Sequence, residues 1–214
     1  MKREDIVAEL EKGGIIAVIR LQDGAKAAPI VEALLEGGVN SLEVTMTVPN
    51  AVEMVNELKQ RFGDRILLGA GTVVTAEGAR QMLSAGAEFI VTPVLLPPIV
   101  EIAHEQKKPA FIGAFSPTEI FRAWQAGADV VKVFPASRLG PKYFKDIHGP
   151  FPRIKLTPTG GVNLENAADF LHHGAVFLGV GSSLLDKKLI ADKDWAGLAQ
   201  RAAQFKGIID RLRA

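Results

Sequence analysis

Eight short apolar runs, separated by helical stretches of similar length, constrain this chain more than any other feature. The runs are IIAVIR (15–20), SLEVTM (41–46), ILLGAGTV (66–73), FIVTPV (89–94), AFIGAF (110–115), VVKVFP (130–135), KLTPTGG (155–161) and VFLGVGS (176–182). Most are rich in β-branched or aromatic residues, and all are too short for ordinary helices, so they read as strands. Helical stretches follow at GAKAAPIVEALLEGG (24–38) and near 50–62, 75–86, 97–107, 117–127 and 164–173, with a shorter connection after the sixth run and a helical tail at the end. One cue recurs at the junctions. EGGVNSLEV, SAGAEFIVT, QAGADVVKV and HHGAVFLGV each place a glycine just past a helix, where a left-handed C′ position favours it, and then start a strand.

Strict alternation, at roughly 20–25 residues per unit, calls for parallel strands joined by helical crossovers. Eight units predict closure into a (β/α)8 TIM barrel, one domain over residues 1–214 with an extra N-terminal helix in MKREDIVAEL. The competing architecture is an open doubly wound sheet. It would usually show fewer strands and a GxGxxG fingerprint after the first, and neither is present.

Composition narrows the function. With 214 residues and 48% hydrophobic content the chain can bury one substantial core. Its 25 Lys and Arg nearly cancel its 24 Asp and Glu, without charged blocks, so no nucleic-acid or membrane-surface partner is expected. The absence of cysteine excludes disulfides, thiolate nucleophiles and zinc–thiolate sites. No apolar stretch approaches the ~20 residues of a membrane span, and the N-terminus lacks the apolar core of a signal peptide, so a cytoplasmic location is expected. His104 falls in a helix, His148 in a loop and His172 and His173 near a helix end. None has metal-ligand spacing at a strand end, so no metal or other cofactor is expected.

Two charged residues stand inside strands that should be apolar throughout. Lys132 sits in the middle of VVKVFPAS (130–137). Burial disfavours an ammonium and can lower a lysine pKa by up to ~3–5 units, which gives the nucleophilic amine that Schiff-base chemistry needs. The bland alternative is a snorkelling or ion-paired lysine. Glu43 lies between Leu42 and Val44. A carboxylate there is costly unless paired with Lys132 or Arg20, or used as a general acid and base.

In a barrel of this kind the active site lies at the C-terminal ends of the strands. Thr72 follows Gly-Ala-Gly, read as a turn whose amides face an anion. Thr92-Pro93 and Ser116-Pro117 read as pocket wall, and Arg20, ending the first strand, reads as a solvated terminus or a carboxylate grip. Gly160-Gly161 after the seventh strand, with Asn163 as the N-cap of the next helix, and Gly181-Ser182-Ser183 after the eighth read as a phosphate cradle of backbone amides. Tight turns needing glycine for geometry alone are the alternative.

The set SLEVT, GAGTV, VTP, KVFPAS, PTGGVN and GVGSSL, in this order, resembles the bacterial 2-keto-3-deoxy-6-phosphogluconate (KDPG) and 4-hydroxy-2-oxoglutarate (KHG) aldolases. The resemblance implies a metal-free class I aldolase, typically a homotrimer, that cleaves the phosphorylated keto acid into pyruvate and glyceraldehyde 3-phosphate. It implies Lys132 as the Schiff-base lysine and Glu43 as the proton carrier. Thr72 would contact the carboxylate, Phe134 and Pro93 would line the pocket, and Gly160, Gly161, Gly181 and Ser182 would hold the phosphate. One departure matters. Many members carry an arginine four residues after the glutamate, whereas this chain has Thr47, so the carboxylate must lean on Thr72, the amides of 69–71 or Arg20. Two rival readings remain: a phosphate-binding barrel isomerase or epimerase using Glu43 as base, and a non-catalytic, engineered scaffold in which Lys132 and Glu43 merely pair.

Overall fold

The structure is a computed structural model, which describes residues 1–22 and 26–213. Its strands are β1 (Ile15–Ile19), β2 (Ser41–Thr45), β3 (Leu67–Gly71), β4 (Ile90–Val91), β5 (Ala110–Ala114), β6 (Val130–Val133), β7 (Leu156–Pro158) and β8 (Leu178–Val180). The helices are α1 (Arg3–Gly13), α2 (Ala27–Glu36), α3 (Ala51–Phe62), α4 (Ala76–Ser84), α5 (Pro97–Glu105), α6 (Pro117–Gln125), α7 (Lys142–His148), α8 (Ala167–His172), α9 (Lys187–Ala191) and α10 (Trp195–Arg213). Residues 24 and 25 of the second predicted helical stretch lie outside the described residues.

All strands run parallel, in the order β7-β6-β5-β4-β3-β2-β1-β8. The seam between β7 and β8 is closed by isolated bridges, Leu156 with Ala175 and Thr159 with Gly179, and by the Thr157 hydroxyl donating to the Phe177 carbonyl at 2.8 Å. The (β/α)8 barrel is therefore complete. The recurrent junction glycines do what the sequence asked of them: Gly38, Gly86, Gly127 and Gly174 have φ of +81°, +109°, +92° and +98°.

Several elements are shorter than their sequence runs, for local reasons. β4 stops at Val91 because Thr92 folds its hydroxyl onto the Val94 carbonyl (2.7 Å) and takes the Gly113 amide (3.0 Å). Gly160 and Gly161, at φ +88° and +81°, turn the chain off β7. Asn163 caps a turn and not α8 itself: its side chain accepts from the amides of Glu165 and Asn166, both at 3.0 Å, while α8 begins at Ala167. His148, expected in a loop, is the last residue of α7.

Successive strand residues point to opposite faces, so the barrel has two cores. Residues such as Leu42, Val44, Val131 and Val133 pack outward under the helices. The inward core is separate and small: Ile16, Leu67, Phe89, Val91, Phe111, Val130 and Phe177, joined from below by Ile6, Val7 and Leu10 of α1. Phe111 stacks on Phe89 at 5.2 Å between ring centroids and meets Phe177 at 5.5 Å. The N-terminal helix is thus a plug that dries the lower half of the barrel.

Asp129, just before β6, ties that plug to the wall. Its carboxylate accepts the Ala110 amide at 2.9 Å, contacts His104 Nε2 at 2.8 Å and lies 3.2 Å from Arg3 Nε on α1. Replacing it leaves a buried amide unpaired and frees α1 at one end. Asp129→Ala is expected to cost about 2–3 kcal/mol in urea unfolding, and a loss below about 0.5 kcal/mol would show that α1 is held by its apolar face alone.

Candidate active site

Lys132 follows Val130 on the inward face of β6, paired in register with Gly113 and Thr157. Glu43 occupies the inward face of β2, paired with Val18 and Gly69. β2 and β6 lie opposite each other in the ring, so two long side chains can meet across the interior. They do. Nζ of Lys132 is 3.8 Å from Oε1 of Glu43, and the residues are 4% and 2% exposed. That separation is charge contact without a hydrogen bond, and Glu43 Oε1 has no hydrogen-bond partner. A buried carboxylate left with an uncommitted oxygen beside an amine is a group placed to take and return protons.

The barrel makes room for this pair with glycine. A Cβ on Gly71 of β3 would overlap the Glu43 carboxylate, and one on Gly113 of β5 would overlap the Pro93 backbone. Among the described residues the remaining buried polar ones are Ser41, Thr45, Thr92, Thr157 and Thr159, all hydroxyls. Further down the interior lies the aromatic core, and the Phe134 ring lies against Lys132.

The Phe134 ring connects the pair to the surface. Its centroid is 5.4 Å from Lys132 Nζ, and the same residue lines a cleft of about 800 Å³ over the C-terminal ends of the strands. Arg20, Thr47, Gly160, Gly161, Gly181 and Ser182 also line this cleft. Among the described residues, the amides of Gly160, Gly161, Ser182 and Ser183 make no hydrogen bond to a backbone or side-chain acceptor. Such uncommitted N–H groups in tight turns suit an anion. The cleft thus carries uncommitted amides suited to an anion, and its Phe134 lies against the buried Lys132, which is itself not among the lining residues.

The family model for KDPG and KHG aldolases matches residues 6–201 of the chain. The chain belongs to the KDPG and KHG aldolase family. It is 36% identical to a 2-dehydro-3-deoxy-phosphogluconate aldolase of Treponema pallidum over 95% of this chain and 99% of that one. Among solved structures it resembles the KDPG aldolase of Legionella pneumophila, determined with pyruvate captured as a covalent carbinolamine intermediate, with a TM-score of 0.85 and 30% identity over 92% of this chain and 96% of that one. It also resembles the 2-keto-3-deoxy-6-phosphogluconate aldolase of Zymomonas mobilis ZM4 with 3-phosphoglycerate, with a TM-score of 0.86 and 29% identity over 96% of both chains.

Within this aldolase, not every residue singled out from sequence reaches the cleft. Thr72 follows β3 half-buried with φ +56°, and it and Pro93, like the buried Lys132 and Glu43, are not among the residues that line the outer cleft. The Gly-Ala-Gly segment is strand, not turn: residues 69–71 belong to β3, and the Ala70 amide is spent on the Phe89 carbonyl at 2.9 Å, so it offers no anion nest. Thr92 and Ser116 are structural rather than pocket wall. Ser116 caps α6 and forms a capping box with Glu119, whose carboxyl is held below its usual range by the amides of Ser116 and Phe115. Thr47 is exposed on the cleft and bonds the Thr45 hydroxyl at 2.8 Å.

Sequence reading passed over Thr45, Thr157 and Thr159. The available signal was alternation: Thr45 stands two residues after Glu43, and Thr157 pairs directly with Lys132, so each shares the inward face.

Gly71 provides the test of this geometry. Gly71→Ala is expected to displace the Glu43 carboxylate, lower stability by about 1–3 kcal/mol through overpacking and reduce aldolase turnover about 100-fold. A folded variant with full turnover would show that the observed Glu43 position is dispensable.

Proposed function

We propose that the chain is a class I aldolase that cleaves 2-keto-3-deoxy-6-phosphogluconate into pyruvate and D-glyceraldehyde 3-phosphate through an imine on Lys132. The observation that carries this reading is the buried Lys132–Glu43 contact, with Lys132 against the Phe134 ring that lines a cleft of uncommitted turn amides. The carbinolamine reported for the Legionella relative supports it, because that adduct requires an amine nucleophile.

In the proposed cycle Lys132 Nζ attacks the keto carbon, and the carbinolamine loses water with Glu43 supplying a proton. The resulting iminium is an electron sink. Glu43 then removes the C4 hydroxyl proton, the C3–C4 bond breaks, glyceraldehyde 3-phosphate leaves, and the bonding electrons form an enamine. Protonation of the enamine at C3 and hydrolysis of the imine release pyruvate and the free lysine. Because the iminium draws the electrons, the cycle is written with no cofactor. A single carboxylate can serve these transfers in sequence. The same steps on 4-hydroxy-2-oxoglutarate would give pyruvate and glyoxylate.

Arg20, with Thr47 and the nearby Thr72, is assigned to the substrate carboxylate. This replaces the bidentate arginine of many relatives with a more distant cation and neutral hydroxyls. Phe134 and Pro93 are assigned to the wall around the pyruvyl group, and Gly160, Gly161, Gly181 and Ser182 to the phosphate. We further infer that residues 1–214 act as one domain, in the cytoplasm, where a dianionic phosphate ester is retained because it cannot cross a bilayer unaided.

A homotrimer is inferred as well. It is supported by an exposed apolar band near the barrel mouth: Val94 is 53% exposed, Phe115 42% and Phe121 38%, with Phe121 stacked on Phe151 at 5.1 Å. Light scattering should then give three times the 22.9 kDa chain mass, and a single-chain mass would remove this inference.

The decisive experiment is trapping with pyruvate and sodium borohydride followed by mass spectrometry. A reduced adduct is expected on Lys132, absent in Lys132→Ala and formed at least about 100-fold more slowly in Glu43→Gln. A folded protein that gives no adduct would remove the imine mechanism and favour the isomerase or epimerase reading.

A further inference from the structure

The amides of the cradle supply hydrogen bonds but no net charge, whereas a phosphate monoester carries about −1.5 to −2 at neutral pH. The structure places a cation among the residues that line the same cleft as these turns. Lys187, the first residue of α9, lines the cleft together with Gly160, Gly161, Gly181, Ser182 and Ser183. Arg20 and Lys26 also line it, and among the described residues no aspartate or glutamate does.

The acids nearest to Lys187 in sequence are committed elsewhere. Asp186 caps α9, accepting the amides of Lys188 at 2.8 Å and Leu189 at 3.1 Å, and lies 3.8 Å from Arg201. Those two amides hold its carboxyl below the usual range, so it stays ionised in this role. Asp192 lies 3.4 Å from Lys188 Nζ. Among the described residues Lys187 enters no ion pair, and it is exposed.

We propose that Lys187 is a specificity-determining residue, the cation that makes this cleft prefer phosphorylated over unphosphorylated ligands. The proposal rests on the reading of the glycine-rich turns as the phosphate site and deepens it. An ammonium acts on phosphate as a mobile point charge, adding attraction that falls with ionic strength, while the amides fix position. Arg20, at the end of β1, stays with the carboxylate end of the ligand. The two anionic ends of one substrate are thereby given separate cations.

The test measures binding of 3-phosphoglycerate and of glycerate to the full chain by calorimetry, which does not depend on turnover. Lys187→Gln is expected to lower the preference for 3-phosphoglycerate about tenfold at low salt, to flatten its salt dependence, and to be rescued by Lys187→Arg. An unchanged preference in Lys187→Gln, equal weakening of both ligands, or failure of the unaltered protein to prefer 3-phosphoglycerate would each overturn the proposal. Borohydride trapping of pyruvate on the same samples keeps the two readings apart. An adduct with no effect of Lys187→Gln removes only the role of Lys187, and loss of the adduct with an intact Lys187 effect removes only the imine.

Discussion

The rest of the structure is arranged around one buried contact, Nζ of Lys132 facing Oε1 of Glu43 across the barrel. Burying polar groups is costly unless they are hydrogen-bonded, and the 3.8 Å separation is too long for a hydrogen bond. Such a pair persists only where the surroundings fix it. Here β2 and β6 bring the two side chains from opposite walls, Gly71 leaves space for the carboxylate, and Phe134 covers the amine. Beneath them the Phe89, Phe111 and Phe177 cluster, plugged by α1, closes the barrel to water from below. The fold therefore holds a costly arrangement in its interior, beside the Phe134 ring that lines the cleft.

This arrangement divides the work between rigid strands and variable turns. The groups proposed to react sit on β2 and β6, where sheet hydrogen bonds leave little freedom. Those proposed to hold anions sit on the turns after β7 and β8 and at the end of β1, where Gly160 and Gly161 give the backbone left-handed conformations. Thr47, bonded to Thr45, puts a neutral hydroxyl on the cleft, while the cations that line it are Arg20, Lys26 and Lys187.

Much of this was legible in the chain. Alternating strand and helix patterns, with a glycine at the recurrent helix ends, specify parallel crossovers, since only a left-handed C′ residue lets a helix stop and a strand begin so soon. Lys132 and Glu43 stood out for the same physical reason that makes them costly: a charge inside an apolar run must be paired or used. Where the reading went astray, a local hydrogen bond or a shared register decided otherwise. Gly-Ala-Gly looks like a turn in isolation but is held in the sheet, with the Ala70 amide bonded to Phe89. Ser116 looks like pocket wall but serves as a helix cap, because Glu119 follows it at capping-box spacing.

The sequence by itself determined the order of elements, the parallel topology and the two charged residues that matter, because periodicity, turn chemistry and misplaced charge are all local signals. Only the tertiary structure decided that Lys132 and Glu43 meet, that Thr45, Thr157 and Thr159 share their face, and that Thr72 and Pro93 stand outside the cleft that Lys187 lines. Those facts depend on barrel closure and on the register between strands. Both are set by hydrogen bonds and packing among residues far apart in the chain, which no local pattern encodes.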